Sequence, residues 1–317
     1  MKRTDAASSF DPVYQAADLL KDAWSWMILR EAILSGVSRF GEFQVRLGVA
    51  PKVLSERLAR LSAAGLFERR QREGRGAPVD YELTPMGEDF VSCLCAAWKW
   101  GARWQGGEPV TRILHAPSGH VFTPEFRCSE CAELVRARDV EVVRMHRQSA
   151  DLVDRSRRRM PDVDLMDRNG GSPIAYTLRV IGDQWSSLLI REAFLGARRF
   201  GDFQKNLGIA TNILSSRLAR LVDLGVLQTS APTGSPTRGE YRLTEKGHDL
   251  YWVPLSLLTW AERWLAPGGP STELRHKLCG RSFHAVFGCG TCGQPAALRD
   301  LVFDEKQAPL ASPVPTA

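Results

Sequence analysis

The strongest constraint on this chain is that it repeats. The stretch that opens WSWMILREAILSG at Trp24 returns as WSSLLIREAFLG at Trp185. With one gap opposite Ser35, more than half of the next forty or so positions are identical. The match continues through Tyr81/Tyr241, Thr84/Thr244, Trp100/Trp260 and Trp104/Trp264. It resumes at His115/His276 and at two Cys-x-x-Cys pairs, Cys128/Cys131 and Cys289/Cys292. A period of about 160 residues is far longer than a solenoid unit, so each copy is a complete domain. A chain of 317 residues with 44% hydrophobic and 25% charged residues can build two cores of ordinary size.

The pattern divides the chain into a first domain at 11–105, a His/Cys segment at 110–140, a linker at 141–171, a second domain at 172–266, a second His/Cys segment at 272–304 and a disordered tail at 305–317. The linker reading rests on the charge run Asp154 to Arg159 and on Asn169 to Gly171. The tail reading rests on Pro and Ala enrichment.

Within each copy the periodicity is helical and then changes. Asp11-Pro12 is a capped helix start. Trp24, Ile28, Leu29 and Ala32 share a face, and Gly36 ends that helix. A short helix around Phe40 to Leu47 stops at Gly48. The next, 51–64, carries Leu54, Leu58 and Leu61 at i, i+4, i+7 and is closed by Gly65. Two helices joined by a short glycine-containing turn make a helix-turn-helix unit. Leu66 to Arg70 and Val79 to Leu83 read as a hairpin, and Thr84-Pro85 and Thr244-Glu245 as the starts of long terminal helices. The expected fold is mainly α with small β-hairpin wings: two winged helix-turn-helix domains, each followed by a small β-rich His/Cys segment.

This shape suits duplex DNA, because a helix can present polar side chains to base edges in the major groove. Outside its leucine seam, helix 51–64 offers Lys52, Ser55, Arg57 and Arg60. Helix 211–224 offers Asn212, Ser215, Ser216, Arg217 and Arg220. The early positions are the better candidates for bases, whereas Arg57 and Arg217 could reach phosphate or brace a neighbouring helix. Arg70, Arg72 and Arg75 on the first wing, and Arg238 on the second, could grip phosphate. The net charge of +6 agrees with a polyanionic partner without requiring one.

Taken as a set, Trp24, Arg30, Glu31, Arg39-Phe40, Phe43, Leu54-Ser55, Arg57-Leu58, Gly65, Tyr81, Leu83-Thr84 and Gly87, with their second-copy counterparts, resemble the HxlR-type winged helix-turn-helix regulators of bacteria. The resemblance implies transcriptional control by a homodimer whose terminal helices pack together. Two departures stand out. Family members are usually single-domain, so the fused copies are expected to self-associate either as an intramolecular pseudo-dimer or as a homodimer of tandem chains. Many members also carry a redox-sensing Cys beside the first-helix Pro, where this chain has Asp11 and Ser172.

Seven cysteines, an odd count, argue against a disulfide framework. The second copy offers His276, Cys279, Cys289 and Cys292 as a structural zinc set, with His284 an alternative fourth ligand. The first copy offers His115, His120, Cys128 and Cys131, with Ser118 opposite Cys279. The competing reading is a pair of reduced thiols in a small hairpin. No His-x-Glu deaminase motif, phosphate loop, His-Glu-x-x-His or Gly-x-Ser-x-Gly is present, so an enzyme is not expected. Six tryptophans on the terminal helices leave room for a small-molecule effector, and for the alternative of a ligand-sensing or protein-interaction module with degenerate DNA binding. No apolar run is long enough for a membrane span and the start lacks an apolar signal core, so a cytoplasmic protein is expected.

Overall fold

The computed structural model describes residues 11–71, 79–106, 111–145, 172–230, 239–266 and 271–305. The first copy runs α1 (Pro12–Leu20), α2 (Ala23–Ser35), α3 (Phe40–Leu47), α4 (Pro51–Ala63), β1 (Phe67–Gln71), β2 (Val79–Leu83), α5 (Pro85–Asp89), α6 (Val91–Trp104), β3 (Thr111–His115), β4 (Pro124–Cys128) and β5 (Val140–Met145). The second follows the same course: α7 (Pro173–Ile181), α8 (Gln184–Phe194), α9 (Phe200–Leu207), α10 (Thr211–Asp223), β6 (Leu227–Thr229), β7 (Tyr241–Leu243), α11 (Glu245–Asp249), α12 (Trp252–Trp264), β8 (Thr272–His276), β9 (Arg281–Phe283), β10 (Ala285–Cys289) and β11 (Leu301–Glu305).

Local chemistry sets the boundaries. The Asp11 and Asp22 carboxylates accept from the amides of Tyr14 and Ser25, the second starting a new helix where one continuous run would otherwise continue. Gly36 and Gly48 end α2 and α3 with φ of 65° and 59°, a region other residues enter only at a cost. Leu54, Leu58 and Leu61 of α4, and Leu214, Leu218 and Leu221 of α10, are fully buried, as are Phe43 and Phe203. The hairpin pairs Phe67 with Leu83 and Gln71 with Val79, antiparallel. The terminal helices are not single: a one-turn helix capped by Thr84 or Thr244 precedes α6 or α12, with the break at Phe90 and Leu250.

The two copies pack through their terminal elements. Helix α6 lies against α7, α1 against α12, and α6 against α12. The indoles cross in matched pairs. Trp100 Nε1 donates to the Lys246 carbonyl at 2.9 Å and Trp260 Nε1 to that of Met86 at 3.0 Å. Trp104 reaches Asp249 at 3.0 Å and Trp264 reaches Asp89 at 2.7 Å. Gly101 is required for this approach, since a Cβ there would sit 1.9 Å from the Pro173 carbonyl oxygen. The aromatic stripe of the terminal helices is thus largely inter-copy core.

The His/Cys segments do not stand apart from one another. Strand β3 pairs with β11, β4 with β10, and β5 with β8, each antiparallel and each joining one copy to the other. The register of β4 on β10 places Phe126 opposite Phe287, its own counterpart, with rings 5.5 Å apart. Asp22 and Asp183, also counterparts, form a second bridge. Both pairs therefore lie on a pseudo-two-fold axis relating the copies. Two boundaries drawn from sequence need correction. Residues 140–145 are a strand, not linker, because Val140 and Met145 pair with His276 and Thr272. The segments 110–140 and 272–304 form one interlaced unit. The rest of the linker, and the tail beyond Glu305, lie outside the described residues.

Candidate nucleic-acid interface and two Cys/His clusters

Helices α4 and α10 each bury one seam and leave the N-terminal polar face open. Lys52 and Ser55 on α4 are exposed, as are Asn212 and Ser216 on α10, while Ser215 is half-buried. The side chains of Lys52 and Asn212 make no hydrogen bond among the described residues. The Ser216 hydroxyl donates back to the Ile213 carbonyl at 2.9 Å and accepts from Arg217 Nη1 at 3.5 Å.

The four arginines of these helices face elsewhere. Arg57 Nε donates to Asp22 at 2.7 Å, and Arg217 Nε to Asp183 at 3.0 Å. Arg60 Nη2 donates to the Ser25 hydroxyl at 2.6 Å, and Arg220 donates to the Arg179 carbonyl at 2.9 and 3.2 Å. All four side chains are partly buried, and each ties its helix to the element beneath. For Arg57 and Arg217 these contacts agree with bracing a neighbouring helix. Because Asp22 and Asp183 bridge each other, both braces converge on the pseudo-two-fold axis. Arg70 is exposed on the wing strand, in reach of Glu68 at 3.2 Å and Glu82 at 3.1 Å. Arg72, Arg75 and Arg238 lie outside the described residues.

The cysteines and histidines form two clusters, and neither has the membership that sequence order suggests. One joins Cys128 and Cys131 to His276 and Cys279; the other joins His115 and His120 to Cys289 and Cys292. In each, the candidate ligand atoms all lie within 4.8 Å of one another. The within-copy grouping is therefore corrected. The antiparallel pairing of β4 with β10 and of β3 with β11 carries each Cys-x-x-Cys turn onto the histidine strand of the other copy. Cys131 Sγ lies 3.2 Å from His276 Nδ1, and Cys128 Sγ lies 4.0 Å from Cys279 Sγ. In the other cluster His120 Nε2 is 3.1 Å from Cys289 Sγ, and Cys292 Sγ is 3.7 Å from His115 Nδ1. Ser118, which replaces Cys279, bridges His115 and His120 at 2.8 and 2.7 Å. His284 belongs to neither group.

The thiols differ in environment. Burial raises Cys289, but hydrogen bonds from His120 and with the backbone outweigh it and bring the thiol down to about 6. A backbone hydrogen bond at Arg281 is the main influence lowering Cys279. Cys93 and Cys95 are sealed inside α6, where burial drives the Cys93 thiol up to about 12 and raises that of Cys95 also. Both are inert packing residues.

A model of the HxlR-like helix-turn-helix family matches residues 19–109 and again 180–268. The chain belongs to the HxlR-like family. An uncharacterized HTH-type transcriptional regulator of Mycobacterium tuberculosis is 40% identical to it over 139 residues, 44% of this chain and 88% of the relative. YdeP of Bacillus subtilis, also named an uncharacterized HTH-type transcriptional regulator, is 33% identical over 95 residues, 30% of this chain and 74% of its own length. The crystal structure of PA1607, described as a candidate transcription factor, is 40% identical and covers 41% of this chain and 92% of that one. Its TM-score of 0.37 says nothing about how the two copies sit together.

Against the HxlR-like pattern, the positions before the first helix of each copy have become structural. Asp11 caps α1 and also receives Arg191 of the other copy through both carboxylate oxygens at 2.7 Å. Ser172 caps α7 through the Ala175 amide. Sequence reasoning missed this buried ion pair. Its one available signal was the Asp11/Ser172 difference between otherwise matching repeats. Among the described residues no helix of this HxlR-like chain is long and apolar enough to cross a membrane.

Proposed function

We propose that this HxlR-like chain is a DNA-binding transcriptional regulator that works as an intramolecular pseudo-dimer. The observation that carries the reading is the paired, outward-facing polar start of α4 and α10, each backed by a buried leucine seam and held by braces meeting on one axis. Lys52 and Ser55 in one half, and Asn212, Ser215 and Ser216 in the other, are the base-reading candidates, and Arg70, Arg72, Arg75 and Arg238 the wing contacts to phosphate. The naming of relatives as HTH-type transcriptional regulators supports the same reading. Because Lys52 stands where the second copy has Asn212, the two readers differ in chemistry and the half-sites are unequal.

Selection of bound sequences from a random duplex pool tests this. Two different half-sites at a fixed spacing are expected, with affinity falling steeply as salt rises. Affinity indifferent to salt, or a strictly symmetric palindrome, contradicts it. Structural zinc belongs to the same proposal, held by the two Cys/His clusters, whose ligand types suit that ion.

One observation favours a small-molecule effector besides DNA. A cleft of about 570 Å³ is lined by Lys99, Arg103, Arg136, Tyr251 and Trp252, and by Asp249, which is paired to Arg103 at 2.8 Å. The positions related by the repeat are Thr259, Arg263, Ala297, Val91 and Ser92, so only one side of the pseudo-dimer gathers this mixture of cations and aromatic faces. An aromatic anion is the matching ligand, at one per chain.

A further inference from the structure

The two clusters have a consequence beyond a generic zinc requirement. We propose that they are two unequal zinc centres, each built from both copies, so that the metals staple the halves of the pseudo-dimer together. The inference rests on the zinc reading above and is independent of DNA binding.

The geometry is that of a closed tetrahedral site. With zinc–sulfur and zinc–nitrogen bonds of about 2.3 and about 2.0–2.1 Å, ligand atoms at the corners of a tetrahedron stand roughly 3.3–3.8 Å apart. The pairs in contact, from 3.1 to 4.0 Å apart, straddle that edge length, and every pair within a cluster lies within 4.8 Å. Four ligands per cluster leave no open position, which is the mark of a structural rather than a catalytic ion. Thiolate with imidazole, and no carboxylate, selects zinc over magnesium or calcium.

Each site draws two ligands from a Cys-x-x-Cys turn and two from the facing strand and loop of the other copy. The first is three sulfurs and one nitrogen: Cys128, Cys131, Cys279 and His276. The second is two and two: Cys289, Cys292, His115 and His120. The difference arises from one exchange in the repeat. Where the second copy has Cys279, the first has Ser118, and His120 two residues on reaches the same centre. The count of four survives while the donor set changes. Burial differs too, since Cys292 is exposed whereas every ligand of the first centre is buried or half-buried. The second centre is therefore the one that yields its ion first to a chelator or thiol reagent.

The test counts zinc in full-length protein purified without chelators. Two ions per chain are expected. Cys131→Ser with Cys279→Ser should remove only one ion, because both serve the same centre, whereas Cys131→Ser with Cys292→Ser should remove both. Within-copy sites give a different pattern: Cys279→Ser with Cys292→Ser would then cost only one, and that result overturns the stapling. A native count below about half an ion per chain overturns the metal reading itself. Cobalt substitution checks the donor sets without depending on how far the variants fold. Titrated into the stripped native chain, it should show thiolate-to-metal absorption for two steps in a ratio near three to two. Equal steps contradict the inequality. Failure of DNA binding alone leaves every one of these results unchanged, so the two readings fail separately.

Discussion

Replacing Arg57 with Ala separates bracing from DNA contact. The Arg57 guanidinium donates to Asp22 at 2.7 Å, with side-chain exposures of 18% and 11%. A hydrogen bond to a charged group contributes about 1.5–3 kcal/mol, and partial solvation of this pair brings the expected loss to ~1–2 kcal/mol. The cost stays below the ~3–5 kcal/mol of stranding a buried charge, because Asp22 keeps the Ser25 amide and Arg60 at 3.7 Å. Urea unfolding followed by tryptophan fluorescence measures the loss. Anisotropy on a labelled duplex across a salt series measures the other side. A brace makes no phosphate contact, so the slope of log affinity against log salt should not move, whereas each lost phosphate contact flattens it by about 0.9. Lys52→Ala, at a base-reading position, should leave stability unchanged within ~0.5 kcal/mol and weaken binding by about 1–3 kcal/mol with relaxed specificity at its own half-site. Because the Arg57 and Arg217 braces meet where Asp22 bridges Asp183, the double variant should depart from additivity by more than ~0.5 kcal/mol. An Arg57→Ala protein that unfolds at the native midpoint but shows a flatter salt slope would refute the bracing argument.

Other perturbations probe the join between copies. Asp11→Ala leaves Arg191 buried beside Glu192 at 2.9 Å, and should cost ~3–5 kcal/mol in chemical unfolding; Ser172→Ala, its counterpart, removes the α7 cap without stranding a buried charge and should cost about 1 kcal/mol. Gly101→Ala forces a methyl into the Pro173 carbonyl and should destabilise by at least ~1–3 kcal/mol, seen as a lower melting midpoint; Ala261→Gly at the matching position should do much less. Light scattering behind size exclusion at nanomolar concentration should return one 35.3 kDa chain; twice that mass contradicts the pseudo-dimer. Isothermal titration with small aromatic carboxylates should find at most one site per chain, lost in Lys99→Met; two equal sites contradict the one-sided cleft.

Much of this molecule was legible in its residues because repetition and local periodicity are written along the chain. The leucine spacing of α4 and α10, the glycines after α2 and α3, and the hairpin that follows each show up within a few neighbours, and all concern contacts close in sequence. What escaped was partnership at long range. Arg57 reads as a polar residue on an outer face, and only the placement of Asp22, 35 residues earlier, turns it inward. Cys128 and His115 look like natural companions 13 residues apart, yet antiparallel pairing hands each to the opposite copy. Two closely similar repeats carry no local mark that says whether a strand pairs with its own copy or with the other. The break before α6 was missed for a related reason: Phe90 keeps a helical backbone, φ −63° and ψ −13°, and its ring packs against Trp26 and Trp260, partners distant in sequence.

The interlaced strands also impose an order on synthesis. When residue 145 leaves the ribosome, β3 and β4 can bridge only to Val121 and Leu134 of their own copy, none of the inter-copy strands that pair with β3, β4 and β5 has been made, and the cysteine turn lacks His276. Those partners arrive only after residue 272, and at about 5–20 residues per second the wait lasts roughly 6–25 seconds. For that interval the nascent chain exposes the edges that β8, β10 and β11 later cover and the thiols of Cys128 and Cys131, so the vulnerable moment in the life of this protein comes before release, and a chaperone or a pause in translation near the middle of the message would act there.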